Sequence, residues 1–368
     1  MIRLLSASLA TAALTTGAMA GGIDRSGQST SVLFEPGNYV EFSFGSVNPA
    51  ASGVGAPAPA PTPGATTGDV LPGYGLFGTA LKFAVNDKVD TALIFDQPFG
   101  ADLAYPTSVY FASSATALLR SNAFTGIARY KFNDKFSVYG GLRQQSMKAS
   151  AMVPYVAGYT ATGANDDQLG YLVGAAYERP DIALRVALTY FSSVEHNLST
   201  FETSGVAPLG VTTTTKIETP QAINLEFQTG IAPKTLLFGS IRWAEWSKFD
   251  IAPPHFAAIT GGVSLVSFSD DRFTYRLGVG RQLDENWSIA GSVTHEPQVG
   301  GFASNLQPTD GYTSVGVGVT YRQDNMKLQA GLSHTWIGDA TTGLFGGPVG
   351  NFDDNTALAF GMKVGFSF

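Results

Sequence analysis

The sequence predicts an all-β fold, a transmembrane antiparallel up-and-down β-barrel of about 14 strands. Three observations lead to this prediction. Only 14% of the residues are charged and 44% are hydrophobic, whereas a soluble domain has about 25% charged residues. No run of about 18 apolar residues follows the N-terminus, so the sequence offers no membrane helix. Short polar turns alternate with long connections along the whole chain, which is the loop asymmetry of transmembrane barrels.

Residues 1–20 are interpreted as a secretory signal peptide. Met1-Ile2-Arg3 is a short basic start, Leu4–Thr16 is apolar with small residues, and Ala18-Met19-Ala20 matches the A-x-A cleavage pattern. We therefore expect the mature chain to begin at Gly21. A lipid-anchored form is excluded because the chain has no cysteine to acylate.

The last strand shows the period-2 alternation of a β-strand most clearly. We expect its bulky apolar face to contact lipid and its small or polar face to line the lumen. The first face carries Leu358, Phe360, Met362, Val364, Phe366 and Phe368, and the second carries Ala357, Ala359, Gly361, Lys363, Gly365 and Ser367. Phe368 also resembles the C-terminal aromatic signal that the barrel-assembly machinery reads.

Six predicted hairpins precede this strand, each closed by a short polar turn. With an opening strand at Asn38–Val47 and the closing strand at Thr356–Phe368, the count reaches about 14. The paired strands are Gly75–Ala84 with Val89–Asp96, Ser121–Phe132 with Phe136–Met152, Asp167–Tyr177 with Ile182–His196, Thr214–Gly230 with Leu236–Asp250, Arg272–Gln282 with Trp287–Glu296, and Gly311–Arg322 with Met326–Trp336.

Seven long connections alternate with the short turns. An even number of strands puts both chain ends on the periplasmic side, so the long connections are expected at the extracellular end. They run over Asn48–Val70, Gln97–Arg120, Val153–Asp166, Asn197–Thr213, Ile251–Asp271, Pro297–Asp310 and Ile337–Asn355. The first contains the proline run Ala56–Gly64, which cannot donate to a ladder and is expected to be an extracellular excursion.

Aromatic residues near the strand ends are expected to form the interfacial girdles of the barrel. They are Tyr130, Phe132, Trp246, Phe249, Trp287, Trp336, Phe366 and Phe368.

Charged residues within the strands fall on the inward-facing parity. Arg143, Arg185, Arg242 and Arg276 each alternate with bulky apolar neighbours, and an arginine exposed to lipid at mid-bilayer costs about 2–4 kcal/mol. The four arginines either form a structural network with carboxylates or bind the acidic head group of a ligand. Glu226 and Arg242 lie at nearly equal distances from one turn, and we expect an internal ion pair between them.

The sequence carries no signal for catalysis, for a metal site or for a cofactor. It has no G-x-S-x-G, H-E-x-x-H or P-loop motif. Its four histidines lack i, i+4 spacing, and we interpret them as surface or interfacial residues: His196, His255, His295 and His334. A net charge of −7 argues against nucleic acid as a partner. We therefore expect a protein that is not an enzyme.

One stretch of the sequence resembles the long-chain fatty acid outer-membrane transporters of the FadL/TodX type (OMPP1). The similar residues are Glu218–Pro233, which begin Glu-Thr-Pro-Gln and end Ile-Ala-Pro, followed by Leu237–Trp243. The resemblance implies a barrel, here residues 37–368, plugged by an N-terminal hatch, here residues 21–36. It also implies lateral passage of substrate at a break in the third strand, for which Pro98 and Gly100 are the candidates.

The N-terminal segment departs from this family pattern. A family hatch is longer and carries an Asn-Pro-Ala motif before the first strand. Here Asn48-Pro49-Ala50 follows the predicted first strand, and residues 21–36 are few. The departure leaves open whether the lumen is plugged.

The expected function is passive uptake of hydrophobic compounds across the bacterial outer membrane, with long-chain fatty acids as the first candidate substrate. The expected state is a monomer in contact with the lipid bilayer and lipopolysaccharide. Arg143, Arg185, Arg242 and Arg276 are the candidate carboxylate partners, and Arg242 lies within the stretch that resembles the family. The alternative is a general diffusion porin for small polar solutes, and an adhesive surface protein ranks last.

Overall fold

The computed structural model describes residues 23–368, which form a closed barrel of fourteen antiparallel strands, and the predicted fold class is confirmed. The strands are β1 Tyr39–Ala50, β2 Tyr74–Ala84, β3 Val89–Asp96 continued by Gly100–Ala104, β4 Thr116–Lys131, β5 Phe136–Val153, β6 Tyr159–Arg179, β7 Leu184–Phe191 continued by Val194–Ser204, β8 Ala207–Thr219 continued by Ala222–Ala232, β9 Thr235–Ala244, β10 Arg272–Gln282, β11 Trp287–Glu296, β12 Tyr312–Gln323, β13 Met326–Ile337 and β14 Thr356–Ser367. The predicted signal peptide, residues 1–20, lies outside the described residues. Within residues 23–368, no helix is long and apolar enough to cross a membrane.

The barrel closes through its first and last strands. β1 pairs antiparallel with β14 from Tyr39 opposite Ser367 to Ala50 opposite Thr356. On its other side β1 pairs with β2, and each later strand pairs with the next. Closure pairs the first strand with the last, so most backbone groups of the wall within residues 23–368 are satisfied by neighbouring strands.

The predicted two faces of β14 are confirmed by the exposure of its side chains. Leu358, Phe360 and Phe366 are exposed on the outer surface, whereas Ala357 and Ala359 are buried. Small inward residues also make room for large ones: a Cβ atom at Gly174 would overlap the Tyr139 ring. The outer surface is therefore apolar and suited to lipid, while the lumen is closely packed.

Several strands extend further than the sequence indicated. Two predicted loops, Val153–Asp166 and Asn197–Thr213, are mostly strand, because β6 begins at Tyr159 and the β7–β8 hairpin turns at Gly205-Val206. The outward positions of these extensions include Thr162 and Thr212, both exposed. The outer face of these extensions is mostly polar, although Phe201 is exposed there, so the apolar-polar alternation that marks a spanning strand is weak.

The long connections fold over one end of the barrel, which is the end expected to be extracellular. The connection from β9 to β10 contains a short helix, α1, at Pro254–Thr260. In the same connection, Trp246 and Phe249 are each only 1% exposed and pack against Phe268. The prediction that these two aromatics belong to an interfacial girdle was wrong, because they form the apolar core of this connection. The other predicted girdle residues are exposed: Tyr130, Phe132, Trp287, Trp336, Phe366 and Phe368.

Candidate functional site

Strand β3 is interrupted, since it stops at Asp96 and resumes at Gly100. Pro98, within the interruption, has no backbone N–H to give to a ladder. Gly100 permits close packing, because a Cβ atom there would lie 3.0 Å from Arg25 Nε and 3.4 Å from the Leu119 carbonyl oxygen. The structure thus places the two residues that the sequence singled out, Pro98 and Gly100, at a break in the wall.

The break leaves a notch between β2 and β3. Their ladder ends where Thr79 faces Phe95, so Tyr74–Gly78 have no ladder partner on β3 in the described part of the chain. A side chain bridges the space instead, because the Phe77 N–H donates to Gln97 Oε1 at 3.0 Å. A cavity passes into the notch, lined on the lumen side by Arg25, Ser26, Glu41 and Ser43 and on the outer side by Phe44 and Phe77.

The N-terminal segment, residues 23–38, pairs with the interrupted strand. The Gly100 N–H donates to the Ile23 carbonyl at 2.8 Å, and the Arg25 N–H donates to the Pro98 carbonyl at 2.8 Å. Arg25 Nε donates to the Gly100 carbonyl at 2.8 Å. The segment therefore provides hydrogen-bond partners for backbone groups of β3 that are not paired with β2.

Asp24 joins the same segment to the opposite wall. Its carboxylate lies 2.6 Å from Arg242 Nε on β9. The Arg242 guanidinium also donates to Gln28 Oε1 at 3.0 Å and to Asn224 Oδ1 at 2.8 Å, and Asn224 Nδ2 donates to the Gly27 carbonyl at 2.9 Å. These charge-assisted contacts hold the segment against β8 and β9.

The segment is held near the periplasmic end as well. Glu35 Oε1 lies 2.6 Å from Lys327 Nζ on β13. Arg129 on β4 donates to the Leu33 carbonyl at 3.2 Å. The segment thus contacts strands all around the lumen, so it lies across the interior of the barrel although it is short.

The expected ion pair between Glu226 and Arg242 is absent. In the β8–β9 ladder Arg242 faces Asn224, and Glu226 faces Ser240. Glu226 Oε1 accepts a hydrogen bond from Ser29 Oγ at 2.8 Å, while Asp24 takes the guanidinium. The prediction was wrong because the Asp24 carboxylate of the N-terminal segment binds Arg242 instead. The positions of Glu226 and Arg242 relative to their turn hold no information about this segment.

The four candidate arginines divide into two classes. Arg143 and Arg242 are in ion pairs, since Arg143 Nη2 lies 3.2 Å from Asp96 Oδ1 and Arg242 is bound to Asp24. Arg185 lies over the Phe34 ring at 4.6 Å and Arg276 over the Phe238 ring at 5.6 Å. Within residues 23–368 neither of these two is in an ion pair.

Arg276 borders a polar cavity in the lumen. The Arg276 guanidinium donates to Ser292 Oγ at 3.4 Å. The wall of the cavity carries many hydroxyl groups, and the N-terminal segment closes one side of it: Thr274, Ser292, Thr294, Tyr312 and Ser314 face Asp24, Ser26 and Ser29. The Glu226 carboxylate also lines the cavity. Arg276 forms no ion pair with it, and a cation surrounded by hydroxyl donors is suited to an anionic group.

A second cavity, towards the extracellular end, is apolar. It is lined by side chains of β3 to β8 and by the β9–β10 connection, including Leu119, Leu198, Ile217, Phe249 and Leu265. Two of its few polar groups satisfy each other, because Thr200 Oγ1 donates to Thr215 Oγ1 at 2.7 Å. Ile23 lines this cavity, and its neighbour Asp24 lines the polar one, so the N-terminal segment separates the two.

His196 is fully buried, and the interpretation of it as a surface or interfacial residue was wrong. Its Nδ1 lies 3.1 Å from Asp166 Oδ2, and its Nε2 lies 3.1 Å from the Gln145 amide. Leu198, two residues further along β7, shares its inward parity and is also fully buried. The histidine belongs to the packing of the upper lumen.

A second histidine contact ties the β9–β10 connection to the barrel. His255 Nε2 lies 2.8 Å from Ser204 Oγ. The Glu202 carboxylate accepts the backbone N–H groups of His255 and Phe256 at 3.2 and 2.9 Å, together with the Tyr159 hydroxyl at 2.8 Å. No group of three His, Asp or Glu side chains within residues 23–368 is arranged to hold a metal ion.

Two kinds of comparison place the chain among known proteins. Residues 62–368 match the family model for "Outer membrane protein transport protein (OMPP1/FadL/TodX)". In structure, the chain is similar to a Pseudomonas aeruginosa FadL homologue, at 15% identity with a TM-score of 0.76 over 95% of this chain and 96% of that one. It is also similar to the P. putida toluene transporter TodX, at 11% identity with a TM-score of 0.65 over 92% of each chain. The Ralstonia pickettii toluene transporter TbuX follows at 10% identity with a TM-score of 0.62, over 91% and 90% of the two chains. No curated protein matches the sequence.

Proposed function

Since the chain belongs to the OMPP1/FadL/TodX family of outer-membrane transporters for hydrophobic compounds, we propose that it carries hydrophobic molecules with an acidic head group. Long-chain fatty acids are the proposed substrates, and their passage is passive. The observation that carries the proposal is the pair of adjoining cavities, one apolar and one holding the Arg276 guanidinium. An acyl chain fits the first and a carboxylate fits the second.

The two cavities suit the two ends of one molecule. The N-terminal segment separates them at Ile23 and Asp24, which are consecutive residues, and one residue spans at most about 3.6 Å of extended chain. A fatty acid is several times longer than this, so it can reach from one cavity to the other once the N-terminal segment moves aside. Arg185 is the second candidate for the head group, whereas Arg143 and Arg242 are engaged by Asp96 and Asp24.

The notch beside Pro98 and Gly100 is the proposed exit to the membrane. Its lumen side carries Ser26 and Ser43, and its outer rim carries Phe44 and Phe77, whose ring centroids are 5.3 Å apart. A hydrophobic molecule that leaves here enters lipid directly and avoids the aqueous periplasm. The docking of Ile23 and Arg25 on the interruption makes the N-terminal segment the part that must shift for passage.

An uncharged aromatic hydrocarbon is the second candidate substrate. The apolar cavity supports it, because its lining offers almost no free polar group. Two of the similar structures are described as toluene transporters. The general diffusion porin is disfavoured, since the N-terminal segment lies across the lumen and an open aqueous pore needs a clear path.

Binding measured with matched ligands tests the proposed substrate class. Equilibrium dialysis of the purified protein against labelled oleate, oleyl alcohol and toluene compares a charged with two uncharged ligands. Hydrogen bonds to a charged group contribute about 1.5–3 kcal/mol, so oleate is expected to bind at least ~10-fold more tightly than oleyl alcohol. Equal affinity for oleate and oleyl alcohol would overturn the acidic head group, and binding of toluene alone would favour the hydrocarbon.

A further inference from the structure

One arginine of the N-terminal segment lies between the polar lumen cavity and the notch. Arg25 belongs to the lining of both spaces. Arg276 lines only the cavity, and Asp96 lines only the notch. A head group that moves from Arg276 to the notch therefore passes the Arg25 side chain.

The Arg25 guanidinium is held in place by two contacts that carry no net charge. Its Nε donates to the Gly100 carbonyl at 2.8 Å, and its Cζ lies 3.3 Å from the centroid of the Tyr74 ring. Only 6% of the residue is exposed. A carbonyl and an aromatic face attract a cation but do not neutralise it. Compensation of the Arg25 charge therefore depends on carboxylates.

Arg25 shares its carboxylate partner with a second arginine. Within residues 23–368, Asp102 is the only carboxylate in an ion pair with Arg25, and Asp102 Oδ2 lies 3.8 Å from Arg25 Nη2. This distance is too long for a hydrogen bond. The same carboxylate lies 2.8 Å from Arg120 Nη2. Two cations thus share one anion, which leaves Arg25 able to bind another.

The other carboxylates around Arg25 are engaged elsewhere. Three of those that line the cavity or the notch are bound to cations of the barrel wall: Asp24 to Arg242, Asp96 to Arg143 and Glu41 to Lys363. The fourth, Glu226, is in no ion pair within the described residues and accepts a hydrogen bond from Ser29. Glu226 lines the cavity but not the notch, so an anion on the notch side of Arg25 meets no unpaired carboxylate.

We propose that Arg25 is a second binding residue for the acidic head group, which it takes over from Arg276 and holds at the notch. The inference rests on the proposed function, namely an acidic cargo that leaves through the notch. It adds the residue that distinguishes an acid from an uncharged compound on the way out. A guanidinium suits this role, because its planar donors match a carboxylate and it stays charged at any physiological pH.

Arg25→Gln tests the proposal through the difference between two ligands in whole-cell uptake. The maximal rate of oleate uptake is expected to fall at least ~10-fold, because hydrogen bonds to a charged group are lost, while uptake of oleyl alcohol stays within about twofold. The substitution also removes the contact with the Gly100 carbonyl, but a docking defect alone would change both ligands alike. Arg25→Lys keeps the cation and is expected to restore part of the oleate rate.

Asp102→Asn tests the same residue in the opposite direction. It removes the shared carboxylate, so the protein is expected to bind oleate several-fold more tightly in equilibrium dialysis and oleyl alcohol equally well. The gain should vanish when Arg25→Gln is added. Asp181→Asn is the control, because it removes a carboxylate from the exposed pair with Arg179, and it is expected to leave both affinities unchanged.

Two results would overturn the role of Arg25. One is an equal loss of oleate and oleyl alcohol uptake in Arg25→Gln, and the other is an unchanged oleate affinity in Asp102→Asn. Failure of the proposed function would look different: the natural protein itself would bind oleate no more tightly than oleyl alcohol.

Discussion

The Asp24 carboxylate and the Arg242 guanidinium meet at 2.6 Å, although 218 residues separate them in the chain. Both side chains are almost fully buried. The contact joins the N-terminal segment to β9, on the far side of the lumen from the interrupted strand β3. It therefore acts as a latch that keeps the segment between the two lumen cavities.

Breaking this latch is predicted to free the segment without unfolding the barrel. Removing one partner of a buried ion pair costs about 3–5 kcal/mol, and Asp24→Asn leaves the Arg242 charge uncompensated. Hydrogen exchange at Gly27 and Gln28 is expected to speed up, and the ion conductance of planar bilayers is expected to rise. Arg179→Gln is the control, because the Arg179–Asp181 pair is exposed and lies away from the segment. Equal exchange rates in the Asp24→Asn and natural proteins would contradict the latch.

Arg276→Gln is predicted to weaken oleate binding at least ~10-fold and to leave toluene binding within about twofold, since only the carboxylate uses the charge. Arg276→Lys should restore part of the affinity, because it keeps the cation but loses the planar donors. Isothermal titration calorimetry measures the affinity of the natural protein and of both variants for oleate and for toluene. If toluene and oleate binding weaken equally, Arg276 serves the packing of the lumen instead.

Filling the notch is predicted to slow exit into the membrane. A Cβ atom at Gly78 would lie 2.7 Å from Ser43 Oγ and 3.3 Å from the Phe95 carbonyl oxygen, so Gly78→Val inserts a side chain into the opening. Oleate uptake is expected to fall at least ~5-fold, about 1 kcal/mol. Gly126→Val on β4 is the control, because Gly126 does not line the notch and the nearest atom to its Cβ would be 3.6 Å away. The lateral route is wrong if both variants transport at the natural rate.

The anchor at the periplasmic end is predicted to persist into mild acid. Burial raises the pKa of the Glu35 carboxyl, but the nearby cations, Lys327 first and then Lys363 and Arg322, outweigh burial and lower it below its ordinary value. A lowered carboxyl pKa contributes stability that is fully present above the unfolded-state pKa and is lost as the pH falls through the folded-state pKa. Protease protection of the segment should therefore be unchanged between pH 7 and about pH 5 and should weaken only in stronger acid. Glu35→Gln should show the weaker protection already at pH 7, and an unaltered profile in that variant would refute the anchor.

The sequence was sufficient for the barrel because lipid imposes a pattern on every spanning strand. Leu358 and Phe360 on one face, with Ala357 and Ala359 between them, predicted the outer and inner surfaces of β14 correctly. The pattern stops at the membrane boundary, so it predicts loops where the upper parts of β6 to β8 are strands. The sequence also predicts Trp246 and Phe249 in a girdle, because an aromatic residue beside a strand end has the same local sequence in a girdle and in the core of a connection.

Only part of the candidate site can be predicted from the sequence. Alternation placed Arg143, Arg185, Arg242 and Arg276 in the lumen, and proline and glycine chemistry marked the break at Pro98 and Gly100. The partners of these residues come from the N-terminal segment, which has no regular period and docks through contacts such as Asp24 with Arg242. Contacts between residues so far apart in sequence leave no local signal, so the plug and its latch became visible only in the structure.

Uptake of labelled oleate by whole cells tests the central claim most directly. The gene is expressed in a host that lacks its own fatty acid transporter, and the natural protein is compared with Gly78→Val and with an empty vector. We predict oleate uptake well above the empty vector with the natural protein and a large loss with Gly78→Val, while small polar solutes enter at the background rate. Oleate uptake equal to that of the empty vector, or rapid entry of polar solutes, would contradict a plugged transporter of hydrophobic acids.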